Sequence, residues 1–305
     1  MSGGVFSKLD PDIITFHILP HLDGKTLIIL SSVSSQFHNL ICSNNNNNNS
    51  ENLWRNICIS TWPSLAITLA VPDFKNFHSN VISILPGGYR TFFSDAFPSI
   101  NSPDLNVINH PPSPPYLIRF YFASDMFLRG QPQPFASLRG TQLLHTEYAP
   151  HRSVPECIAF RFGLNHQKHK LKNFIKVKKQ GFEEYLKQNL TFSCVVIETK
   201  ETKRAGSLFT PGCKPVEVKR AATSGRVVKV IFETLLPSLS NFYTQMIKCR
   251  TKVYCYWQGD AEDKFCVGCV SSTFKDMNGK RLWERDAAII ILNAIINGER
   301  KNKQN

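Results

Sequence analysis

Residues 9–41 read LDPDIITFHILPHLDGKTLIILSSVSSQFHNLI, and this stretch decides the fold of the N-terminal part of the chain. Asp10 followed by Pro11 predicts a helix start, because an acidic N-cap accepts hydrogen bonds and proline suits the first helical position. The aliphatic residues of the helix that follows fall at spacings that share one face: Ile14, Ile18, Leu19 and Leu22. Asp23-Gly24 then indicates a stop and a turn.

Three more short helices are predicted after this turn. The second helix carries the aliphatic residues Leu27, Leu30 and Val33. Ser34 or Ser35 can cap a third helix, which bears the apolar residues Phe37, Leu40 and Ile41. Asparagine is a poor helix former, so the run Asn44–Asn49 predicts a flexible insertion. Leu53 and Trp54 open the fourth helix, which continues through Cys58.

This helical segment carries more apolar surface than so short a unit can bury alone. The surplus either packs on the rest of the same chain or forms a docking face for another protein. Helical periodicity by itself is compatible with both interpretations.

The order and spacing of these residues resemble the F-box. The resemblance runs through Pro11-Asp12-Ile13-Ile14, the aliphatic positions up to Val33, the aromatic Phe37, and finally Leu53-Trp54. Further segments resemble a plant F-box protein subgroup, in which a Thr-Trp-Pro-Ser segment follows the box. These segments are Thr61–Ser64, Gly88–Pro98, Lys203–Gly206 and Asp276–Gly279.

The resemblance implies a non-catalytic subunit that joins an SCF-type ubiquitin ligase by binding a Skp1-type adaptor. A cullin and a RING protein would complete the complex, and the subunit would select an unknown protein substrate. The resemblance assigns the adaptor contacts to Pro11, Ile14, Ile18, Leu19, Leu22, Leu27, Leu30, Val33, Phe37, Leu53 and Trp54. Replacing Leu19 and Leu22 together by polar residues is expected to abolish binding to Skp1.

The rest of the chain predicts an α+β fold with an antiparallel β-rich domain after the helices. Seven segments have the alternation or β-branched content of strands: 116–122, 155–162, 192–199, 215–219, 227–235, 246–257 and 264–274. Turn signals between them include Ala205-Gly206 and Pro211-Gly212. A C-terminal helix over 285–297 has a broad apolar face.

We therefore predict four regions. Residues 1–60 form the F-box, 61–97 a helical extension, 98–115 a linker rich in Pro, Asn and Ser, and 116–305 a β-rich substrate-recognition domain with the C-terminal helix. The apolar runs are too short to span a bilayer, and the start has no signal-peptide pattern. We expect a location in the nucleus, the cytoplasm or both, and no membrane partner.

Nine cysteines, an odd number spread through 305 residues, do not form the dense framework of a small secreted protein. Cys266 and Cys269 have the spacing of half a zinc site, and Cys249 and Cys255 lie upstream. No second pair stands at finger-like spacing, and the surrounding alternation is that of a strand. We predict buried thiols, with no metal, cofactor or catalytic residue.

The formal net charge of +13 leaves other functions open. The densest basic run, between His166 and Lys179, can contact nucleic acid or serve as a nuclear-import signal. A second interpretation is that it forms one solvated face or a charged edge of a strand. The second interpretation is favoured, because aromatic residues are not interleaved with the lysines. The alternatives to a ligase subunit are a basic regulatory or nucleic-acid-associated protein that keeps an F-box-like scaffold, and a ligand- or carbohydrate-binding β-domain fused to the box.

Overall fold

A computed structural model describes residues 9–42, 49–66, 81–97, 117–131, 134, 136–145, 160–163, 175–176, 181–220, 227–237, 246–258 and 264–297. The chain divides into two compact units, residues 1–93 and 94–305. The boundary falls near the end of the predicted helical extension. The predicted linker, residues 98–115, lies outside the described residues, so the four-part division stays a prediction.

The N-terminal unit is helical, as its sequence predicts. Its first helical segment comprises α1 (Pro11–Ile13), a π-helical turn (Ile14–Ile18) and a 3₁₀ turn (Leu19–His21). The remaining elements are α2 (Gly24–Val33), α3 (Ser35–Cys42), α4 (Asn49–Thr61), two 3₁₀ turns (Pro63–Ala66 and Val81–Ile84) and the start of α5 (Gly88–Ala96).

Aromatic side chains fill the core of this helical unit. The Trp62 ring lies edge-on to Phe92 at 5.4 Å between centroids, and Trp54 lies 5.5 Å from Phe93. All four side chains are almost fully buried. Burial of so much aromatic surface stabilises a unit whose helices are too short to persist alone.

The C-terminal unit contains two antiparallel sheets. The four-stranded sheet has the order β2-β1-β5-β6, with bounds β1 (Leu117–Leu128), β2 (Ala136–His145), β5 (Leu190–Glu198) and β6 (Ala205–Cys213). The six-stranded sheet has the order β3-β10-β9-β8-β7, with β4 also paired to β10. Its bounds are β3 (Phe160–Gly163), β4 (Ile175–Lys176), β7 (Glu217–Arg220), β8 (Val227–Pro237), β9 (Met246–Gln258) and β10 (Lys264–Asp276).

The apolar faces of the two sheets share one core. Phe192 of β5 stacks on Phe232 of β8 with 4.7 Å between ring centroids. Two helices join this core: α6 (Phe182–Asn189) contributes Phe182 and Leu186, and α7 (Glu284–Asn297) is buried along most of its length. The predicted α+β class, with an antiparallel sheet domain and a C-terminal helix, is confirmed.

Two predicted turn signals are wrong. Ala205-Gly206 and Pro211-Gly212 both lie inside β6. Register shifts between β5 and β6 accommodate this glycine- and proline-containing strand, because a bulge relaxes the strict pairing that proline would break. Three further elements have no counterpart among the predicted segments: β2, β4 and α6.

Candidate functional site

The first helical segment is not a regular α-helix. The side chain of Asp10 accepts a hydrogen bond from the backbone N–H of Asp12 at 2.8 Å, which confirms the predicted start. Pro20 lacks the N–H that would bond to the carbonyl of Phe16, and its ring would clash with that carbonyl in an α-helix. The chain instead widens, and the Leu19 N–H donates to the carbonyl of Ile14, five residues earlier.

This widened turn decides which side chains point inward. Ile14 and Leu19, five residues apart, are both fully buried. Ile18 is only half-buried, and Phe16 is 55% exposed. A π-helical turn therefore rotates the apolar face away from the one that a period of 3.6 residues predicts.

Exposed apolar side chains occur on both of the first two helical segments. Ile13 and Phe16 project from the first segment, and Ile29 and Val33 project from one face of α2, four residues apart. Val33 is 70% exposed, the largest value among these four. We call these four residues the apolar patch. They give each of these two helical segments an apolar part of its surface.

The start of α2 is fixed by its N-cap. Asp23 accepts hydrogen bonds from the backbone N–H and the hydroxyl of Thr26, both at 2.9 Å. The backbone hydrogen bond from Thr26 lowers the pKa of Asp23, because it favours the ionised carboxylate. Asp23-Gly24 thus stops the preceding turn, as predicted, and also opens α2.

The eleven side chains predicted to contact an adaptor fall into three classes of exposure. Six are buried inside the helical unit: Ile14, Leu19, Leu27, Phe37, Leu53 and Trp54. Three are half-buried: Ile18, Leu22 and Leu30. Pro11 and Val33 are exposed. The buried six build the unit itself, and the contact role of the whole set stays a prediction.

The sequence reasoning missed Ile13, Phe16 and Ile29 as surface residues. The predicted shared face of the first segment comprises only aliphatic residues at an α-helical period, which the π-helical turn breaks. Ile29 lies in α2, a regular α-helix, and the sequence pattern assigns it no role. Pro20 was the available signal, since proline marks a departure from the regular helix four residues earlier.

A groove of about 510 Å³ lies within the same helical unit. Its walls come from the first helical segment, the start of α2, and α3 and α4: Thr15, Phe16, Pro20, Leu22, Asp23, Gly24, Leu40, Asn52, Leu53, Asn56, Ile57, Ser60 and Thr61. The lining mixes apolar side chains with amides and hydroxyls, which suits contact with a protein segment. Phe16 belongs both to this groove and to the apolar patch.

The end of α3 is tied to α4 across the asparagine run. The carbonyl of Ile41 accepts hydrogen bonds from the Ser50 hydroxyl at 2.6 Å and from the Trp54 indole at 3.1 Å. Helix C-terminal carbonyls lack partners within the helix, so these bonds satisfy one of them. Residues 43–48 lie outside the described residues.

Four of the cysteines that the structure describes are buried: Cys58, Cys194, Cys249 and Cys255. Burial raises the pKa of the Cys194 thiol to about 12 and raises that of Cys249 further. Within the described residues no cluster of three or more His, Cys, Asp or Glu could hold a metal ion. Cys266 and Cys269 lie in β10, but their side chains are outside the described set.

The basic run is largely outside what the structure describes, apart from its backbone at β4. No helix among the described residues is long and apolar enough to cross a membrane. A depression of about 290 Å³ in the β-rich unit is lined mainly by charged residues rather than aromatic ones. It therefore gives no support to a carbohydrate-binding pocket.

Comparison with known proteins gives a consistent result. The F-box domain model matches residues 6–49. Three proteins of Arabidopsis thaliana are similar to this chain over much of its length. Probable F-box protein At2g36090 is 30% identical over 98% of this chain and 77% of its own length. F-box protein At3g44326 is 31% identical over 72% of this chain and 54% of its own length. F-box protein At2g27310 is 25% identical over 99% of this chain and 82% of its own length.

No solved structure matches this chain. The domain match covers all four residues of the apolar patch and the part of the groove that lies before residue 49. The first relative extends the similarity across nearly the whole chain. This chain therefore belongs to the family of F-box proteins.

Proposed function

We propose that this protein is the substrate-receptor subunit of an SCF-type ubiquitin ligase. Its F-box binds a Skp1-type adaptor, which links it to a cullin and a RING protein. The β-rich unit holds a target protein for ubiquitination. The subunit supplies no catalytic residue of its own, and it acts in the nucleus, the cytoplasm or both.

The observation that carries this proposal is the apolar patch on the F-box. Exposed aromatic and aliphatic side chains are the usual anchors of a protein interface, and one of these four, Phe16, also lines the groove. Phe16 and Val33 expose the largest fractions of the four side chains in the patch. Burying them against an adaptor removes apolar surface from water and stabilises the complex.

Exposed residues make a sharper test than the Leu19 and Leu22 pair predicted from the sequence. Leu19 is fully buried, so a polar residue there would unfold the helical unit whether or not it binds an adaptor. Phe16→Asp combined with Val33→Asp changes two residues that are more than half exposed. We expect this double variant to bind a purified Skp1-type adaptor about a hundredfold more weakly or worse, measured by calorimetry.

A matched control separates the patch from a general effect of charge. Lys25→Asp combined with Arg55→Asp places carboxylates at two exposed positions of the same helical unit. It lowers the net charge of the chain more than the Phe16 and Val33 variant does, because it also removes two cations. The control is expected to bind the adaptor like the parent protein. Full adaptor binding by the Phe16 and Val33 variant, with circular dichroism showing a folded protein, would contradict the proposal.

A further inference from the structure

The outward face of the six-stranded sheet is strongly basic. Along β9 the buried residues alternate with Lys248, Arg250, Lys252 and Tyr254, which therefore share the opposite face. Register then places Lys229 of β8 opposite Tyr254, and Lys275 of β10 opposite Lys248. We call this surface the basic face; its cationic side chains are Lys219, Lys229, Lys248, Arg250, Lys252, Lys275 and Arg281.

Carboxylates on this surface neutralise part of its charge. Arg250 lies 2.9 Å from Glu217 and 3.6 Å from Glu233, and Lys248 lies 3.4 Å from Glu233. Lys219 also pairs with Glu217. Glu217 and Glu233 thus lie around Arg250, and Asp276 lines the depression beside Lys248 and Lys275.

Lys252 stands among cations. Partial burial and the neighbouring Arg250, Lys229, Arg281 and Lys275 lower its pKa. Within the described residues no carboxylate lies within ion-pair distance of the Lys252 ammonium. Like charges held together on a folded surface cost stability, so this arrangement is unfavourable until an anion covers it.

Apolar side chains stand on and beside the same surface. Leu235 and Tyr256 are exposed at outward positions of β8 and β9. Met277 directly follows β10 and is 53% exposed, and Trp283, two residues after Arg281, is 64% exposed. Trp, Tyr, Met and Arg are the residue types that protein interfaces favour.

We propose that the basic face binds an acidic segment of a protein, and that this segment belongs to the target the receptor selects. The identity of the segment as part of a ligase target rests on the proposed function. The binding of an acidic segment is a property of the β-rich unit alone. Carboxylates of the segment would neutralise Lys229, Lys252 and Lys275, and its apolar residues would contact Trp283 and Met277.

A protein fits the basic face better than a nucleic acid does. Glu217 and Glu233 stand inside the face and would repel a continuous row of phosphates. An acidic polypeptide, unlike a row of phosphates, can alternate charged and uncharged residues. It can place a carboxylate near Lys252 and an uncharged residue near Glu233. The depression beside Lys248 and Lys275 is also lined by Glu233 and Asp276, so an uncharged side chain of the segment would fit there.

Direct binding with defined probes tests the proposal on the full chain bound to its adaptor. The probes are a fluorescein-labelled peptide of alternating glutamate and leucine, the same peptide with glutamine for glutamate, and a single-stranded DNA of equal charge. Fluorescence anisotropy is expected to show the glutamate peptide binding at least about tenfold more tightly than either alternative. Tighter binding of the DNA, or equal binding of the two peptides, would overturn the proposal.

Matched charge variants locate the binding. Lys229→Gln with Lys252→Gln is expected to weaken peptide binding about tenfold, because two cations of the basic face are lost. Lys187→Gln with Lys200→Gln removes the same charge from α6 and from the β5–β6 connection and is expected to weaken it less than about twofold. Equal losses in both pairs would mean that net charge alone attracts the peptide, and would overturn the assignment.

The same samples separate this inference from the proposed function. Adaptor binding is measured on every variant by calorimetry. A parent chain that fails to bind the adaptor but still binds the glutamate peptide, alone and through the basic face, would remove the ligase role and keep the basic face as a site. A chain that binds the adaptor but not the peptide would remove the basic face alone.

Discussion

Gly24 lies at the first position of α2, where a glycine is not needed for backbone conformation. A Cβ atom at this position would lie 2.2 Å from Cζ of Phe93 and within 2.7 Å of two other ring atoms. The ring is almost fully buried and packs against both Trp54 and Trp62. Gly24 therefore serves close packing of an aromatic core rather than chain flexibility.

Gly24→Ala is expected to lower the free energy of unfolding by about 1–3 kcal/mol, as measured by urea denaturation. Helix propensity alone would give a gain of up to about 1 kcal/mol, so the sign of the change distinguishes the two effects. In a Phe93→Leu background the smaller side chain leaves room, and the cost of Gly24→Ala should fall. A gain in stability from Gly24→Ala in the parent protein would contradict the packing argument.

Lys252 is a second residue whose surroundings lower the stability of the folded protein, because its charged side chain is partly buried among other cations. Its pKa is lowered in the folded protein, so the charged form is less favourable there than in the unfolded chain. At neutral pH Lys252→Met is expected to raise Tm by about 1–3 °C, although it removes a cation from the basic face. Differential scanning fluorimetry measures this change.

The pH dependence of that gain follows from the direction of the shift. The cost of the Lys252 ammonium is fully present below its lowered folded-state pKa, and it disappears as the pH rises through the unfolded value of about 10.5. The Tm difference between Lys252→Met and the parent should therefore shrink at alkaline pH. Lys187→Met, on α6, serves as the exposed control. A lower Tm for Lys252→Met at neutral pH would contradict the crowding of cations.

At the scale of the element, the first helical segment shows what the sequence could and could not predict. Its start at Asp10 and Pro11 followed directly from capping chemistry. The inward face did not, because Pro20 forces a π-helical turn that pairs Ile14 with Leu19 rather than with Ile18. The position of the site was thus predictable, but the side chains that it exposes were not.

The strands of the β-rich unit were also predictable only in part, for a different reason. β8, β9 and β10 alternate strongly and were predicted nearly to their ends. β6 contains Pro211 and Gly212, which indicate a turn by local chemistry, and its pairing depends on β5 across bulges. A single sequence cannot show tertiary pairing that overrides a local turn signal.

The link between α3 and α4 yields a prediction at this scale. Trp54→Phe removes the hydrogen bond from the indole to the Ile41 carbonyl while keeping an aromatic ring near Phe93. We expect a loss of about 1–2 kcal/mol in the free energy of unfolding, measured by urea denaturation.

Ser50→Ala completes a double-mutant cycle for this link. Either single variant leaves the Ile41 carbonyl with one hydrogen bond, whereas the double variant leaves it with neither of these two. The double variant should therefore lose more stability than the two single losses added together. Strict additivity would show that the carbonyl is satisfied in another way.

At the scale of the whole molecule, each compact unit carries one of the two proposed surfaces. The apolar patch belongs to residues 1–93 and the basic face to residues 94–305. The family resemblance predicted an F-box in the first unit, which the domain match confirms, but among the patch residues it named only Val33. The basic face was not predicted, since its cations come from separate strands and meet only through sheet register.

A bridging experiment tests whether one chain uses both surfaces at once. The adaptor is immobilised, the chain is added, and retention of the fluorescein-labelled glutamate peptide is measured. The parent chain should retain the peptide, because adaptor and peptide bind different residues.

Phe16→Asp with Val33→Asp should abolish retention while the free chain still binds the peptide in solution. Lys229→Gln with Lys252→Gln should reduce retention about tenfold although the chain itself stays on the adaptor. Loss of adaptor binding in the lysine variant would contradict this division of labour, because it would place the cations at the adaptor site rather than at the target site.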